Sequence, residues 1–408
     1  MPVSRREFVR LVSATAATGI ADRSLAQSMR TPQHDDPLGI RKDFPVTREH
    51  LYFNSPYIAP SPSPVMDAVA RFNRAKAEDP LTLGPMLAET RAAREKFARL
   101  VNAETGEIGL LATTSEAENI VTAALDLRPG DNVVIDDLHF DTTVVLYDHL
   151  RDKNGIEVRV VKNVDGAVSP EAFAALVDDK TRLISVSWVS HQNGFRHDLK
   201  VLASLAHAHS AYIFVDAIQG LGTLELDTKD CDIDFFAGGT YKWLLGGFGV
   251  APFFVKKSLL DIIEPDRRGW RQIKGESASH EFEFYDDARK YGYATPAFAA
   301  VYQLSAALDY LAKIGVDTIE RHTVKLAQRI HQGLTEQGFK VLTPANNRSS
   351  IVAFEHGTDY ERAQVQLDKA NVRLSFREDN SQIRVGAALF NNETDVDRLL
   401  EISKTWRS

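Results

Sequence analysis

From residue 91 onward the hydrophobic positions switch repeatedly between two spacings. Apolar residues recur at helical spacing over 91–101, 115–125, 143–154, 169–177 and 199–209, and between them lie short apolar runs at 109–112, 132–135, 158–161, 183–187 and 212–216. Unbroken apolar runs separated by amphipathic helices predict a parallel sheet covered on both faces. The expected fold class is therefore α/β. In such sheets ligands sit beyond the carboxyl ends of the strands, so the residues just after each run matter most. Past 293–296 a helix is predicted to about residue 314 and another over 316–337. The alternation then thins to runs at 350–354 and 382–385, which fits a smaller α+β C-terminal domain. The chain divides on this reading into a large domain over 61–290 and a small domain over 291–408, preceded by an N-terminal arm over 27–60. No internal repeat is visible.

Length and composition narrow the class further. The 408 residues are 44% hydrophobic and 25% charged, the profile of a globular chain with room for two domains. Forty-eight Lys and Arg stand against 56 Asp and Glu, a formal net charge of −8, which offers no field for holding nucleic acid. The lone cysteine, Cys231, removes intramolecular disulfides and zinc sites built from paired cysteines.

The first residues read as an address. Ser4-Arg5-Arg6-Glu7-Phe8-Val9 leads into a weakly apolar, Ala- and Thr-rich run and then Ser24-Leu25-Ala26. Paired arginines before such a run and a small-residue cleavage site predict a twin-arginine signal peptide over 1–26, hence a periplasmic enzyme. Without export the protein would be cytoplasmic. No other segment reaches the apolar length of a membrane span.

The chemistry gathers at strand ends. The run ending at Val215 delivers Asp216 and then Gln219, and Lys242 follows inside Gly238-Gly239-Thr240-Tyr241-Lys242-Trp243. A lysine that forms a Schiff base must be neutral and held in a desolvated place. Glycines on both sides of Lys242 let the backbone approach a flat ligand. A carboxylate at Asp216 would face a protonated pyridine nitrogen and keep that ring able to absorb an electron pair. Asp216 and Lys242 thus read as two halves of one electron sink.

The strings VDAIQG at 215–220, GGTYKWLLGGFG at 238–249 and YATP at 293–296 resemble the class V aminotransferase family. This is a fold type I group of pyridoxal 5'-phosphate enzymes that includes cysteine desulfurases, kynureninase, isopenicillin N epimerase-like proteins and hercynylcysteine sulfoxide lyases. The resemblance runs from about residue 51 to the C-terminus. It implies a large domain with a mainly parallel sheet covered by helices, and a smaller α+β C-terminal domain. Carried over position by position, it places Thr114, Ser115 and Thr240 at the cofactor phosphate and stacks Phe140, or its neighbour His139, on the ring. His191 and Gln219 fall at the ring oxygen. Glu116 must then point away from the phosphate, and Tyr241 stands where a His often precedes the lysine. Thr295 resembles a residue that reaches the phosphate of the other subunit, which implies a homodimer with shared active sites. Arg384, in IRVGAALFN, matches the arginine that pairs with the substrate α-carboxylate, a task that suits its planar fork. Arg377 and Arg289 are the next cations for that task, and Trp270 is a candidate for shaping the substrate mouth.

The expected activity is that of an enzyme acting on an amino acid or other small amino compound through Lys242, by transamination, lyase, epimerase or oxidative chemistry at Cα. A cysteine desulfurase is expected to carry a cysteine shortly before the Arg384 strand, and 375–380 has none, so the expectation is of an enzyme that is not a desulfurase. The nearest branch on this reading is the isopenicillin N epimerase-like one. Two alternatives stand beside it: a periplasmic tailoring enzyme of a peptide siderophore, and a non-catalytic binding protein that keeps the fold. The second would be expected to lose Lys242 or Asp216, and both are present.

Overall fold

The computed structural model describes residues 36–276, 279 and 281–406, so the signal peptide expected at 1–26 and the start of the arm lie outside the described residues. Residues 37–408 form one compact unit.

Seven short runs become one sheet. They are Ile108–Leu111 (β1), Asn132–Asp136 (β2), Glu157–Val161 (β3), Thr181–Ser187 (β4), Tyr212–Asp216 (β5), Phe235–Ala237 (β6) and Ala251–Val255 (β7). Their order is β1-β7-β6-β5-β4-β2-β3. The pairs among β2, β3, β4, β5 and β6 are parallel, while β7 is antiparallel to both β6 and β1. The exception has a cause in the connection: 238–250 contains no helix to carry the chain back across the sheet, so it reverses instead. Two reversals restore direction, and β1 therefore ends at the same edge as β4, β5 and β6.

Side-chain alternation splits the sheet's residues between two cores. Val134, Ile184, Ile213, Val215 and Phe236 pack on one face with Phe97 and Leu304. Val133, Ile135, Leu183, Phe214 and Phe235 pack on the other with Ile120, Val121 and Tyr147. Four helices recur below: Ser63–Glu78 (α1), Leu83–Leu100 (α2), Thr114–Ala124 (α3) and Asp141–Asn154 (α4). Phe298–Ile314 packs against α1 and α2. Helix α2 begins well before the residues whose spacing predicted it, because Pro85 sits in its first turn, where a missing N–H costs nothing. The helix predicted over 169–177 is a single turn, Pro170–Ala174, capped by Ser169. A second, four-stranded antiparallel sheet comprises Lys340–Val341 (β8), Ile351–Glu355 (β9), Ser375–Arg377 (β10) and Gln382–Gly386 (β11), in the order β8-β9-β11-β10. The arm forms a separate two-stranded parallel pair, Leu51–Tyr52 with Val372–Arg373, and touches the four-stranded sheet through an isolated bridge from Asn54 to Gly386. An antiparallel hairpin, Ile273–Glu276 with Phe282–Phe284, carried no clear signal in the sequence. Among the described residues no helix is long and apolar enough to cross a membrane.

Candidate active site

The shared strand edge opens into a cavity of about 210 Å³ lined by residues from β4, β5, α3, α4 and the loops that follow β1, β2, β4, β5 and β6. Asp216 closes β5 at this edge, and its carboxylate accepts the Ile218 N–H at 3.0 Å. Lys242 comes from the reversal after β6 and is only 8% exposed. Burial pulls its amine down to about 8, against the opposing pull of Asp216, with Arg384 and Arg377 adding to the fall. Burial pushes the Asp216 carboxyl up, while the Ile218 hydrogen bond and Lys242 oppose it. An amine brought this close to neutrality, beside a buried carboxyl on one cavity, is suited to moving protons.

Across the cavity stands the N-terminus of α3. Thr113 caps it by accepting the Glu116 N–H at 3.1 Å, and the Glu116 carboxylate turns back to accept the Ala112 N–H at 2.9 Å. Glu116 also meets Arg267 at 3.4 Å, so its charge is directed away from the helix end, as a phosphate site requires. Thr114 and Ser115 line the cavity, and the Thr114 hydroxyl accepts the Gly239 N–H at 3.0 Å. That bond ties the helix terminus to the lysine loop. A helix N-terminus with its polar side chains arranged in this way favours an anion.

Between the two ends the structure chooses among the ring candidates. Phe140 lines the cavity at 38% exposure. His139, in contrast, is buried behind the wall and does not line it. The His139 ring accepts the Phe140 N–H at 2.7 Å and lies 3.1 Å from both Ser185 and Ser187, which commits its nitrogens away from the cavity. His191 lines the cavity edge-on to Phe140, with ring centroids 5.0 Å apart. Both His191 ring nitrogens are buried without a partner, and burial with the nearby Arg377, Arg384 and Lys242 pulls it down to about 3. It is therefore a neutral ring with unused polar atoms at the site. Gln219 also lines the cavity, but its amide is engaged at both ends, donating to the Pro56 carbonyl and accepting from the Trp243 indole, each at 2.9 Å. It fastens the arm to the site.

Besides His139, three of the expected residues, Thr240, Thr295 and Arg384, do not line the cavity. The Thr240 hydroxyl donates to the Gly247 carbonyl at 2.6 Å and is fully buried, so it shapes the lysine loop rather than facing a phosphate. Thr295 is exposed and lies apart, flanked by Ala294 and Pro296, which line a second cavity of about 500 Å³ together with Trp270. Arg384 is buried behind His191, donating to its carbonyl at 2.6 Å, and its Nε has no partner. Burial and Arg377 pull Arg384 down to about 10, and no carboxylate pairs with it among the described residues. Arg377 lies on the same face of the small sheet, two residues beyond Ser375, which is opposite Arg384. Arg289 pairs with Asp287 at 2.8 Å and lies over Tyr285, which occupies it elsewhere.

Sequence reasoning missed Glu118. It lines the cavity yet is 4% exposed, on α3 beside the buried Ala117 and Ile120. The available signal was an acidic residue embedded in an apolar helical stripe. Phe248, which lines the cavity in a stack on Tyr241 with centroids 4.4 Å apart, was missed as well.

The donor set fits pyridoxal phosphate: a desolvated lysine, a buried carboxyl, a helix terminus for an anion, an aromatic face and a histidine with unpartnered nitrogens, all on one cavity. Fold and site are those of a cofactor-dependent enzyme of the aminotransferase type. The chain belongs to the aminotransferase class-V family, whose description matches residues 51–399. The expected cofactor, pyridoxal 5'-phosphate, and the fold type I architecture are both borne out by this membership. A probable cysteine desulfurase of Methanothermobacter thermautotrophicus is 30% identical over 323 residues, covering 77% of this chain and 80% of that protein. The uncharacterized aminotransferase YcbU of Bacillus subtilis is 27% identical over 366 residues, covering 90% of this chain and 96% of its own. Among solved structures, the cysteine desulfurase of Thermococcus onnurineus superposes with a TM-score of 0.82 at 23% identity, over 90% of this chain and 97% of that one.

These relatives overturn the expectation that the chain is not a cysteine desulfurase. That expectation rested on where sulfur would be delivered. Residues 375–380 are strand β10 followed by a turn in which Glu378, Asp379 and Asn380 take φ of 47°, 50° and 65°, and they do lack a thiol. That segment bears on one delivery route for sulfur, whereas the relatives match over most of the chain. The relatives give no support to the siderophore alternative.

Proposed function

We propose that the chain is a pyridoxal phosphate-dependent enzyme that acts at Cα of a free α-amino acid, with removal of sulfur from a cysteine-type substrate as the first reaction to test. The observation that carries this reading is the burial of Lys242 and Asp216 on one cavity, with the amine drawn down to about 8. When bound, the cofactor supplies an electron sink in its pyridine ring. Thr114, Ser115 and the first N–H groups of α3 would hold its phosphate, Phe140 its ring face, Asp216 its ring nitrogen and His191 its ring oxygen. Lys242 takes a proton from Cα and returns it, its desolvation keeping the amine basic but not locked in the charged form. Arg384 orients the α-carboxylate, and the buried ring of His191 and its Phe140 neighbour keep water from that side.

Relatives named as cysteine desulfurases support sulfur as the leaving group. Incubating the purified protein with cysteine, cystine and non-sulfur amino acids, with mass spectrometry of the products, tests it. Sulfide or persulfide release supports the reading. Keto acids from all substrates with no sulfur released would favour transamination, the second reading, which the relative named as an aminotransferase supports. Racemised substrate would favour an epimerase of the isopenicillin N epimerase-like branch.

Asp216→Asn should leave the cofactor bound but slow every step that places negative charge on Cα, by roughly a hundredfold, because a neutral amide does not hold a ring nitrogen protonated. Stopped-flow absorbance with a deuterated substrate checks this, and wild-type turnover would remove Asp216 from that role. We also propose a homodimer, consistent with an exposed Thr295 whose role would lie in a partner's site; sedimentation tests it. Export is proposed from Arg5 and Arg6. Replacing both with Lys should leave the protein in the cytoplasm with its N-terminus uncut, and unchanged periplasmic recovery would exclude the twin-arginine route.

A further inference from the structure

Behind the wall that carries Phe140, a set of buried polar groups has no place in the scheme above. Glu118 accepts hydrogen bonds from Ser185 at 2.6 Å, Tyr147 at 3.0 Å and Thr143 at 3.0 Å. These donors come from β4 and α4, so the carboxyl joins three elements in one core. The chain continues beyond Ser185. His139 Nδ1 accepts the Phe140 N–H, which leaves the ring proton on Nε2, directed at Ser185 Oγ 3.1 Å away. With the proton on Nε2, the Ser187 hydroxyl, 3.1 Å from Nδ1, donates to that nitrogen and shares its one lone pair with the Phe140 N–H. Every donor in the sequence Ser187, His139, Ser185 thus points toward Glu118. At the far end, Ser187 is paired in register with Asp216 across β4 and β5, and Ser187, Asp216 and Glu118 all line the cavity.

We propose that Glu118 is a positioning residue of the cofactor pocket: it ends a one-way hydrogen-bonded chain from Ser187 through His139 and Ser185, and its gain or loss of a proton changes the potential in which Asp216 works. The electrostatics agree with the geometry. Burial lifts Glu118 from the ordinary 4.5 to about 7, the three hydroxyls oppose the rise, and Asp216 adds to it. The groups facing Glu118 are Asp216 at the end of β5, Tyr147 and Thr143 on α4, Ser185 on β4 and, through Ser185, His139. Burial pulls His139 down to about 4, so it is neutral. Tyr147 is held well above its usual value and is neutral as well. No cation forms an ion pair with Glu118 among the described residues. Two carboxyls on one cavity with unlike surroundings are expected to separate in proton affinity. With Glu118 ionised, Asp216 holds a proton-bearing nitrogen more firmly; with Glu118 protonated, one hydroxyl must reverse to accept from it and the chain loses its single direction.

The last of these steps rests on the pyridoxal phosphate reading, whereas the titration of Glu118 does not. The first measurement is therefore made on the apo protein, as an infrared titration of the protonated-carboxyl stretch. Wild type should show a carboxyl band that disappears with a midpoint near 7, and Glu118→Gln should lack it. The stability of the apo protein should follow. Between 4.5 and about 7 the folded state keeps a proton on Glu118 that the unfolded state has released, so the stability contributed by this group falls as pH rises through that window. Across it the wild-type unfolding constant should rise on the order of a hundredfold relative to Glu118→Gln, whose own curve carries the opposite slope set by the depressed His139 and His191. With cofactor bound, the visible absorbance of wild type should carry a titration near neutrality that Glu118→Gln lacks and Ser185→Ala shifts. A carboxyl band that survives in Glu118→Gln, or a Glu118 ionised throughout, overturns the proposal. So does an infrared titration with no counterpart in the cofactor spectrum, which would leave Glu118 a structural residue only. If Glu118→Gln does not fold, wild type and Ser185→Ala decide by the same two spectra. Failure of the chain to take up pyridoxal phosphate would sink the cofactor reading and leave the apo titration standing.

Discussion

Lys242→Ala should remove activity toward every amino substrate, with a loss of roughly 10²- to 10⁴-fold or more, the range in which a positioned acid–base group contributes. The expectation is this large because nothing near Lys242 can replace it. Asp216 is an acceptor on the opposite side of the task, His191 is pulled down to about 3, and Arg384 is held as a cation behind His191. The backbone should tolerate the change, since Lys242 sits in a loop fixed by other bonds: Gly246 N–H to Thr240 O at 2.8 Å, Leu245 N–H to Lys242 O at 2.9 Å and Thr240 Oγ1 to Gly247 O. Thermal unfolding should therefore move little while turnover collapses. Borohydride treatment of wild type should fix the cofactor's mass on the peptide that contains Lys242, and the variant should lose that label. A label on another lysine, or residual turnover near wild type, would remove Lys242 from the centre of the chemistry.

The second large effect concerns Arg384. Arg384→Ala should leave bound cofactor and its colour in place while lowering catalytic efficiency on α-amino acids by roughly 2 to 5 kcal/mol, the usual cost of removing one partner of a desolvated charge pair. The guanidinium is already positioned: Nη1 donates to the His191 carbonyl, Nη2 approaches Ser375 at 3.4 Å and Nε is buried with no partner. A buried cation with an unpartnered donor is costly, and an arriving carboxylate relieves that cost. Amines without a carboxylate should be affected little. Arg384→Lys should restore only part of the loss, because a point charge does not reproduce a planar fork. Equal loss on substrates with and without the carboxylate would make Arg384 a support of the small sheet. Undiminished rates would move the carboxylate to Arg377, on the same face of that sheet.

The desulfurase expectation shows how a local reading fails. A missing cysteine at 375–380 concerns one delivery route for sulfur, whereas membership of the family concerns the groups at Cα, which are spread over 114–384. Relatives matched over most of the chain weigh more than six residues. Arg384 lies on a strand that pairs residue by residue with Ile351–Glu355, placing Ala353 opposite it, and its task at a carboxylate is what the variants above test.

What the sequence determined by itself was everything written in local order. The alternation of apolar runs and amphipathic stretches fixed most strands and helices of the main sheet, since periodicity needs only neighbours along the chain. Motif spacing singled out Asp216, which closes an apolar run, and Lys242, which lies in the loop five residues past Phe235–Ala237, a strand that the alternation did not announce. Tertiary structure alone decided matters that depend on residues far apart in the chain. It set Phe140 on the cavity and His139 behind it, by filling the His139 nitrogens from Phe140, Ser185 and Ser187. It gave the Thr240 hydroxyl to Gly247 and left Thr295 on the surface. It buried Glu118, an acidic residue that its side-chain type alone would assign to solvent, against hydroxyls 25, 29 and 67 positions away. Burial of a charge becomes tolerable only when distant donors converge on it, and that convergence exists only once β4, α3 and α4 have packed together.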